Sequence, residues 1–415
     1  MQTKNIHWPS VLLLAVLGMS TAFVFLIAVG LGINSIYGLF TNGADPAGGM
    51  ISSFAFGLMF IILVICLWFI LQKTMGRAQA DQSFQFPFAV WQVAAAIGVV
   101  SVSAGVGGAA AFAEIAWLNW ILLPALTVLV IAPPIWIVFG LGTHGIELGP
   151  RWRFFSALGL GMTIGPLIMI VLEMISLLGV VIIGMLLIAV QKPELLREII
   201  NLSQSLQIES DPQVIINTLA PYITSPAVIA AALGYIALLV PMIEELIKPL
   251  AVWIFARKMA SPAQGFAMGM LSGAAFALVE SLNASGDGSV SWPVIVSIRA
   301  GTSLLHITAS GLVGWGIVSA FREKRTARFF AAYFCAVAIH GIWNACAVGM
   351  GISTIGELIG KTGWVFNIIP AAICGMSVLA VGMFAVLIAS NRKLRSAAII
   401  PQIESNNEEG VKQTS

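Results

Sequence analysis

Ten separate runs of about twenty apolar residues leave this chain few ways to fold. They lie near 11–33, 50–72, 89–112, 121–143, 154–190, 225–256, 265–284, 294–321, 329–351 and 366–390. Wound as an α-helix, such a run matches the hydrocarbon thickness of a bilayer. A helix also satisfies its backbone polar groups internally, which lipid demands. Composition agrees, because 9% of the residues are charged where a soluble domain carries about 25%, and the mean hydropathy is +0.98. The expected fold is all-α, a polytopic transmembrane helix bundle of about ten spans in a lipid bilayer. Its basic residues fall in short clusters at span ends, which excludes a nucleic-acid surface. Cys66, Cys335, Cys346 and Cys374 lie in apolar runs without CxxC spacing, and read as small buried hydrophobes, neither disulfide nor zinc ligands.

The first run exceeds the about 7–15 residues of a signal-peptide core and reads as a retained span. About 55 apolar residues from Phe88 to Gly142 must hold two crossings, with the break expected at Glu114–Trp120. The run 154–190, which includes Glu173, is long for one span. Lysine and arginine set the orientation. With both termini cytoplasmic, fifteen fall on inner segments, from Lys4, Lys73 and Arg77 to Lys412, and three outside (Lys192, Arg197, Lys361). That bias recurs at every inner loop. Lys248 and Arg299 remain, both inside spans. Leu195, Ile199, Leu202 and Leu206 at helical spacing predict an amphipathic helix on the outer interface, followed by a turn at Ser210–Asp211–Pro212. The expected organisation is about five spans over 1–190, an extracytoplasmic amphipathic segment at 191–224, a four-span core at 225–351, a last span within 352–395 and a disordered cytoplasmic tail at 396–415.

Within YIALLVPMIEELIKPLAVWIFARK, 235–258, Glu244 and Glu245 sit in an apolar stretch. Each costs about 2.5–3.5 kcal/mol at mid-membrane on insertion scales. Counting residues from the inner ends of four spans places Glu244, Glu245, Glu280, His306, His340 and Asn344 roughly 18–24 Å from one boundary. Lys248 reaches either glutamate from i+3 or i+4. His340 and Asn344 share a face, as do Arg299 and His306. Gly265, Gly269 and Gly273 form a double GxxxG ladder that admits a neighbouring helix, and Gly311, Gly314 and Gly316 suit the same purpose below His306. Taken singly, such a histidine is a packing residue, such a Glu/Lys pair a structural ion pair, and the ladder only packing. Glu114 and Glu173 have no partner motif and read as structural. The combination at one depth points elsewhere.

Two carboxylates, two imidazoles, an amide and two cations suit hydrolysis in a membrane. A carboxylate near a cation acts as general base to water, and an imidazole positions that water or protonates a leaving amine. An amide can donate to an oxyanion, a contribution of about 10²–10³ in rate. No serine or cysteine stands in a nucleophile motif beside these groups, so activated water is the nucleophile. Zinc would find two histidines and a glutamate, but there is no HExxH, and Lys248 and Arg299 oppose a dication; no metal or other cofactor is expected. Other classes carry the same residues: a proton-coupled transporter, disfavoured because the polar set is confined to one half, or a non-catalytic membrane scaffold.

EELIK at 244–248, FALVE at 276–280, RAGTSLLHITASGLVG at 299–314 and HGIWN at 340–344 together resemble the PrsW family of membrane proteases. That family is related to the CAAX-prenyl endopeptidases and grouped with the glutamic-type intramembrane proteases. The resemblance covers roughly 230–350 and implies a cell-membrane enzyme cutting membrane-anchored proteins. It implies one of Glu244 and Glu245 as water-activating base, and Lys248 as the basic residue closing the first motif. Glu280 fills a carboxylate position that is histidine in the CAAX-prenyl branch. His306 and Arg299 match the third motif, and His340 and Asn344 the last, implying water positioning and oxyanion support.

Overall fold

Proline and glycine punctuate the apolar runs, and the helices start and stop beside them. The computed structural model describes residues 7–413 except Asn42, Ala44, Ile208, Ser210 and Thr362; Lys4 and Ser210, used above, lie outside the described residues. The helices are α1 (Trp8–Thr41), α2 (Pro46–Thr74), α3 (Trp91–Ala113), α4 (Ala116–Thr143), α5 (Arg151–Met162), α6 (Ile164–Gln191), α7 (Pro193–Leu206), α8 (Pro212–Ile223), α9 (Pro226–Gly234), α10 (Val240–Ile247), α11 (Leu250–Phe255), α12 (Pro262–Ala284), α13 (Trp292–Glu323), α14 (Thr326–Leu358) and α15 (Ile369–Gln413). Five of these begin with proline, whose missing N–H costs nothing in a first turn. Asp45, Ser225 and Ser261 cap α2, α9 and α12 by accepting from backbone N–H groups. Among the described residues, ten helical stretches are long and apolar enough to cross a membrane. The described residues contain no strand, only one isolated bridge between Ser83 and Pro150.

The structure refines several boundaries. The break after α3 is tight: Glu114 takes a left-handed conformation, φ 53°, and α4 begins at Ala116, so Trp117, Asn119 and Trp120 belong to its first turns. The run 154–190 is two helices divided at Thr163, φ −126° and ψ −75°. In α7, Leu195, Leu196, Ile199, Leu202 and Leu206 are half-buried and the remaining residues exposed, the face expected from their spacing. Helix α15 continues to Gln413, past Arg395, where the polar composition predicts disorder. A helix already nucleated by a span extends at little cost.

The chain divides into two units, Met1–Pro166 with Glu245–Ala336 and Gly382–Ser415, and Leu167–Glu244 with Val337–Val381. At the centre of the first lie α12 and α13. Their most apolar stretches are 89% and 72% buried, against 33% or less in every other spanning helix, which leaves the rest facing outward with exposed Phe, Leu, Ile and Val. Polar links fix the packing: Trp292 Nε1 donates to Thr127 Oγ1 at 2.8 Å, Trp120 Nε1 to Ser35 Oγ at 2.8 Å, and Asn391 Nδ2 to the Gly142 and His144 carbonyls at 2.9 Å. In the second unit, the Tyr222 hydroxyl donates to Glu198, joining α7 to α8, and Lys361 Nζ donates to Thr224 Oγ1 at 2.6 Å.

Candidate active site

The stretch 225–256, expected as one span, is broken twice by its own prolines. Pro241 has no N–H for the Ala237 carbonyl and its ring would strike it; residues Tyr235–Leu239 widen into a π-turn, a common device where the i→i−4 ladder is interrupted. Pro249 repeats the interruption one turn beyond the glutamates, and Lys248 and Pro249 form a turn before α11. Helix α10 is thus eight residues long, bounded by breaks, and carries Glu244 and Glu245.

In the first unit the glycine ladder sets the register. A β-carbon at Gly265 would lie 2.7 Å from the Gly314 carbonyl oxygen, one at Gly269 would overlap the Ser310 carbonyl, and one at Gly273 the His306 carbonyl. Backbone therefore lies on backbone along α12 and α13. Gly316 works on another face, against Phe329 and Arg328 of α14. Continued about two further turns, the ladder brings Glu280 to α13, where Arg299 Nη2 lies 2.7 Å from Oε1 and His306 Nε2 lies 2.7 Å from Oε2. His306 Nδ1 then meets Lys248 Nζ at 2.9 Å, and the same ammonium donates to Glu245 Oε1 at 2.8 Å. An ammonium only donates, so its partner Nδ1 carries the lone pair, and Nε2–H is left for Glu280. Lys248 also stands 4.6 Å from the Phe276 ring centroid, a cation–π contact, and the side chains of Lys248 and Glu245 have no solvent exposure. Five sequence candidates, Glu245, Lys248, Glu280, Arg299 and His306, thus form one connected set.

In the second unit Glu244 Oε2 lies 3.8 Å from His340 Nε2, with 12% of the glutamate side chain exposed. At that separation one water molecule can touch both groups. Asn344 has a role that its spacing did not suggest. Its Nδ2 donates to the Ile236 carbonyl at 3.0 Å, within the π-turn. Gly341 makes this approach possible, since a β-carbon there would overlap the Ala237 carbonyl oxygen. The glycine and asparagine of HGIWN therefore serve the backbone opened by Pro241. The signal was available, as a proline inside an apolar run frees a carbonyl that something must satisfy. Asn344→Ala is expected to lower stability by about 1 kcal/mol, read as a fall in melting temperature in detergent.

The family profile described as PrsW family intramembrane metalloprotease matches residues 149–376, more than half of the chain. The chain belongs to the PrsW family. No curated protein and no solved structure matches it significantly. The PrsW match starts just before α5 and ends within α15, wider than the 230–350 covered by the motifs, so α6, α7 and α8 fall inside it. Membership makes the chain a multi-pass intramembrane protease, with membrane proteins in a bilayer as substrates.

The PrsW description implies a metal; among the described side chains of a kind that could hold one are Glu245 and His306 in the first unit and Glu244 and His340 in the second. The contacts argue against it in this member. His306 has Lys248 on Nδ1 and Glu280 on Nε2, and Glu245 has Lys248 on Oε1. A dication bound through these same two atoms would have to displace the Lys248 ammonium.

Proposed function

We propose that the chain hydrolyses peptide bonds of membrane-anchored proteins with a glutamate-activated water, Glu244 being the base. This is the glutamic-type chemistry implied by the motif resemblance. One observation supports the choice between the two acids: the Glu244 side chain keeps 12% of its surface exposed and lies 3.8 Å from His340, whereas Glu245 has none exposed and is held by Lys248. Glu244 takes a proton from water as its oxygen attacks the scissile carbonyl, and returns that proton to the departing amine, so the carboxylate is regenerated. His340 orients the water. Asn344 shares its helix face one turn on and keeps a second amide hydrogen for the oxyanion. Glu245, Lys248, Glu280, Arg299 and His306 act as supporting charge, because a fixed ion network needs no reorganisation when charge develops.

The reading without metal has its own test. Cleavage of a membrane-anchored reporter by the purified protein is expected to survive dialysis against EDTA and 1,10-phenanthroline. Elemental analysis is expected to find well under one zinc per chain. Loss of cleavage on chelation with recovery on adding zinc would return the site to metal chemistry.

A further inference from the structure

We infer that the first unit carries a binding site for an anionic phospholipid, at the turn where α13 passes into α14. The turn is tight because Lys324 takes a left-handed conformation, φ 57°, and its N–H donates to the Ser319 carbonyl. Arg322, Lys324 and Arg325 are exposed on it, and Arg328 follows half-buried in the first turn of α14. Arg257, from the turn after α11, joins them, since its guanidinium lies over the Phe321 ring, 5.8 Å from the centroid. The one carboxylate among these cations is Glu323, which lies 2.6 Å from Arg328 and 3.9 Å from Arg325. Arg257, Arg322 and Lys324 have no acid partner among the described residues.

A basic residue at a span end needs no ligand, because it serves to orient the chain. What points further is the setting of these side chains. Arg257 and Arg328 each lie over an aromatic ring, Phe321 at 5.8 Å and Trp315 at 5.4 Å, as in a cation–π contact. A ring beneath a guanidinium restrains it and leaves its in-plane N–H donors for other partners. Among the described residues nothing accepts from Arg257. Donors held in a plane beside uncompensated charge match the oxygens of a phosphate.

Aromatic side chains continue from the cations along the span. Trp253 meets Phe321 and Phe329 edge to face at 6.3 and 5.3 Å. Phe330 and Phe334 follow on α14, stacked at 6.5 Å and both more than half exposed. A phosphate on Arg257 and Arg322 lays its acyl chain along these rings, whereas a free anion leaves them bare. Charge and apolar surface together therefore select a phospholipid. A zwitterionic headgroup fits less well, since its ammonium would face the unpaired cations. The bound lipid braces Trp253, whose Nε1 donates to the Leu246 carbonyl at 2.9 Å, beside the buried Glu245–Lys248 pair. Binding of this kind does not depend on which acid activates water.

The test places the full chain in phosphatidylcholine nanodiscs with increasing phosphatidylglycerol at constant ionic strength. Native mass spectrometry reads the lipid retained, and thermal unfolding reads stability. The unsubstituted chain is expected to retain phosphatidylglycerol in preference to phosphatidylcholine and to melt higher, saturably, as its fraction rises. That preference is read without any variant, so it does not depend on how a substituted chain folds. Arg257→Gln combined with Arg322→Gln is expected to weaken retention by about tenfold, with an unchanged melting temperature in pure phosphatidylcholine. Arg392→Gln combined with Lys393→Gln removes as much charge from α15 and is expected to bind like the unsubstituted chain. Four results would overturn the proposal: no preference for phosphatidylglycerol, equal retention by the Arg257 and Arg322 variant, an equal loss in the α15 variant, or an equal rise in melting temperature from inorganic phosphate in pure phosphatidylcholine.

Discussion

Glu244→Gln is expected to abolish cleavage while leaving the fold intact, and Glu245→Gln to do the reverse in kind: to damage the fold first. The two residues are neighbours in sequence but not in circumstance. Glu244 has a partly exposed side chain and a histidine 3.8 Å away. Replacing its carboxylate with an amide removes a base and little packing, so the loss is about 10²–10⁴ in rate at an unchanged melting temperature. Glu245 is fully buried against the ammonium of Lys248. Removing it strands a buried cation, which costs about 3–5 kcal/mol and is a large part of a typical margin of about 5–15 kcal/mol. Lys248→Met with Glu245→Gln together should recover part of that loss, since the pair and not either member is what burial tolerates. Cleavage of an anchored reporter in liposomes, followed beside thermal unfolding, reads both effects. If Glu245→Gln kept its melting temperature and lost cleavage, and Glu244→Gln still cut, the assignment of the base would be wrong.

Gly269→Val is expected to be the most disruptive single change in α12. Its β-carbon would overlap the Ser310 carbonyl oxygen and press on the Gly314 α-carbon, and a backbone atom has no other rotamer to adopt. Overpacking into side chains costs about 1–3 kcal/mol; here the whole of α13 must move, so the upper end is the minimum expected. That movement would carry Arg299 and His306 away from Glu280, and activity should fall with stability. Gly57→Ala is the control, because a β-carbon there meets nothing within 4 Å. It should be neutral or stabilise the protein by up to about 1 kcal/mol. Comparable melting temperatures for the two variants would show that the α12–α13 contact is looser than the backbone positions imply.

Much of this arrangement was legible before any coordinates. The ladder at 265, 269 and 273 leads to Glu280 as expected, since helical spacing alone puts those glycines and that carboxylate on one face. The pairing of Arg299 and His306 on that face follows from their sevenfold separation. The amphipathic face of α7 followed from leucine and isoleucine spacing for the same reason. What stayed hidden were choices among equals. Spacing let Lys248 reach either glutamate, and a structure was needed to give it to Glu245. The contact of Asn344 with the Ile236 carbonyl was out of sight because that carbonyl belongs to a helix distortion that hydropathy does not register. The run 154–190 was legible as too long for one span, with a single tilted helix and a helix plus a shorter piece both open; the division at Thr163 is what the structure adds.

The break-bounded helix α10 also bears on the order in which the protein is made. A ribosome adding about 5–20 residues per second delivers the acids of α10 to the membrane roughly 3–20 s before His306 and His340 exist. During that interval Glu245 must be tolerated by what has already been synthesised beside it. Lys248, three residues on, leaves the ribosome almost together with it. The lysine therefore serves biogenesis as well as the finished site: it lets a nascent helix enter the translocon as a locally neutral pair, to be completed when the later spans arrive.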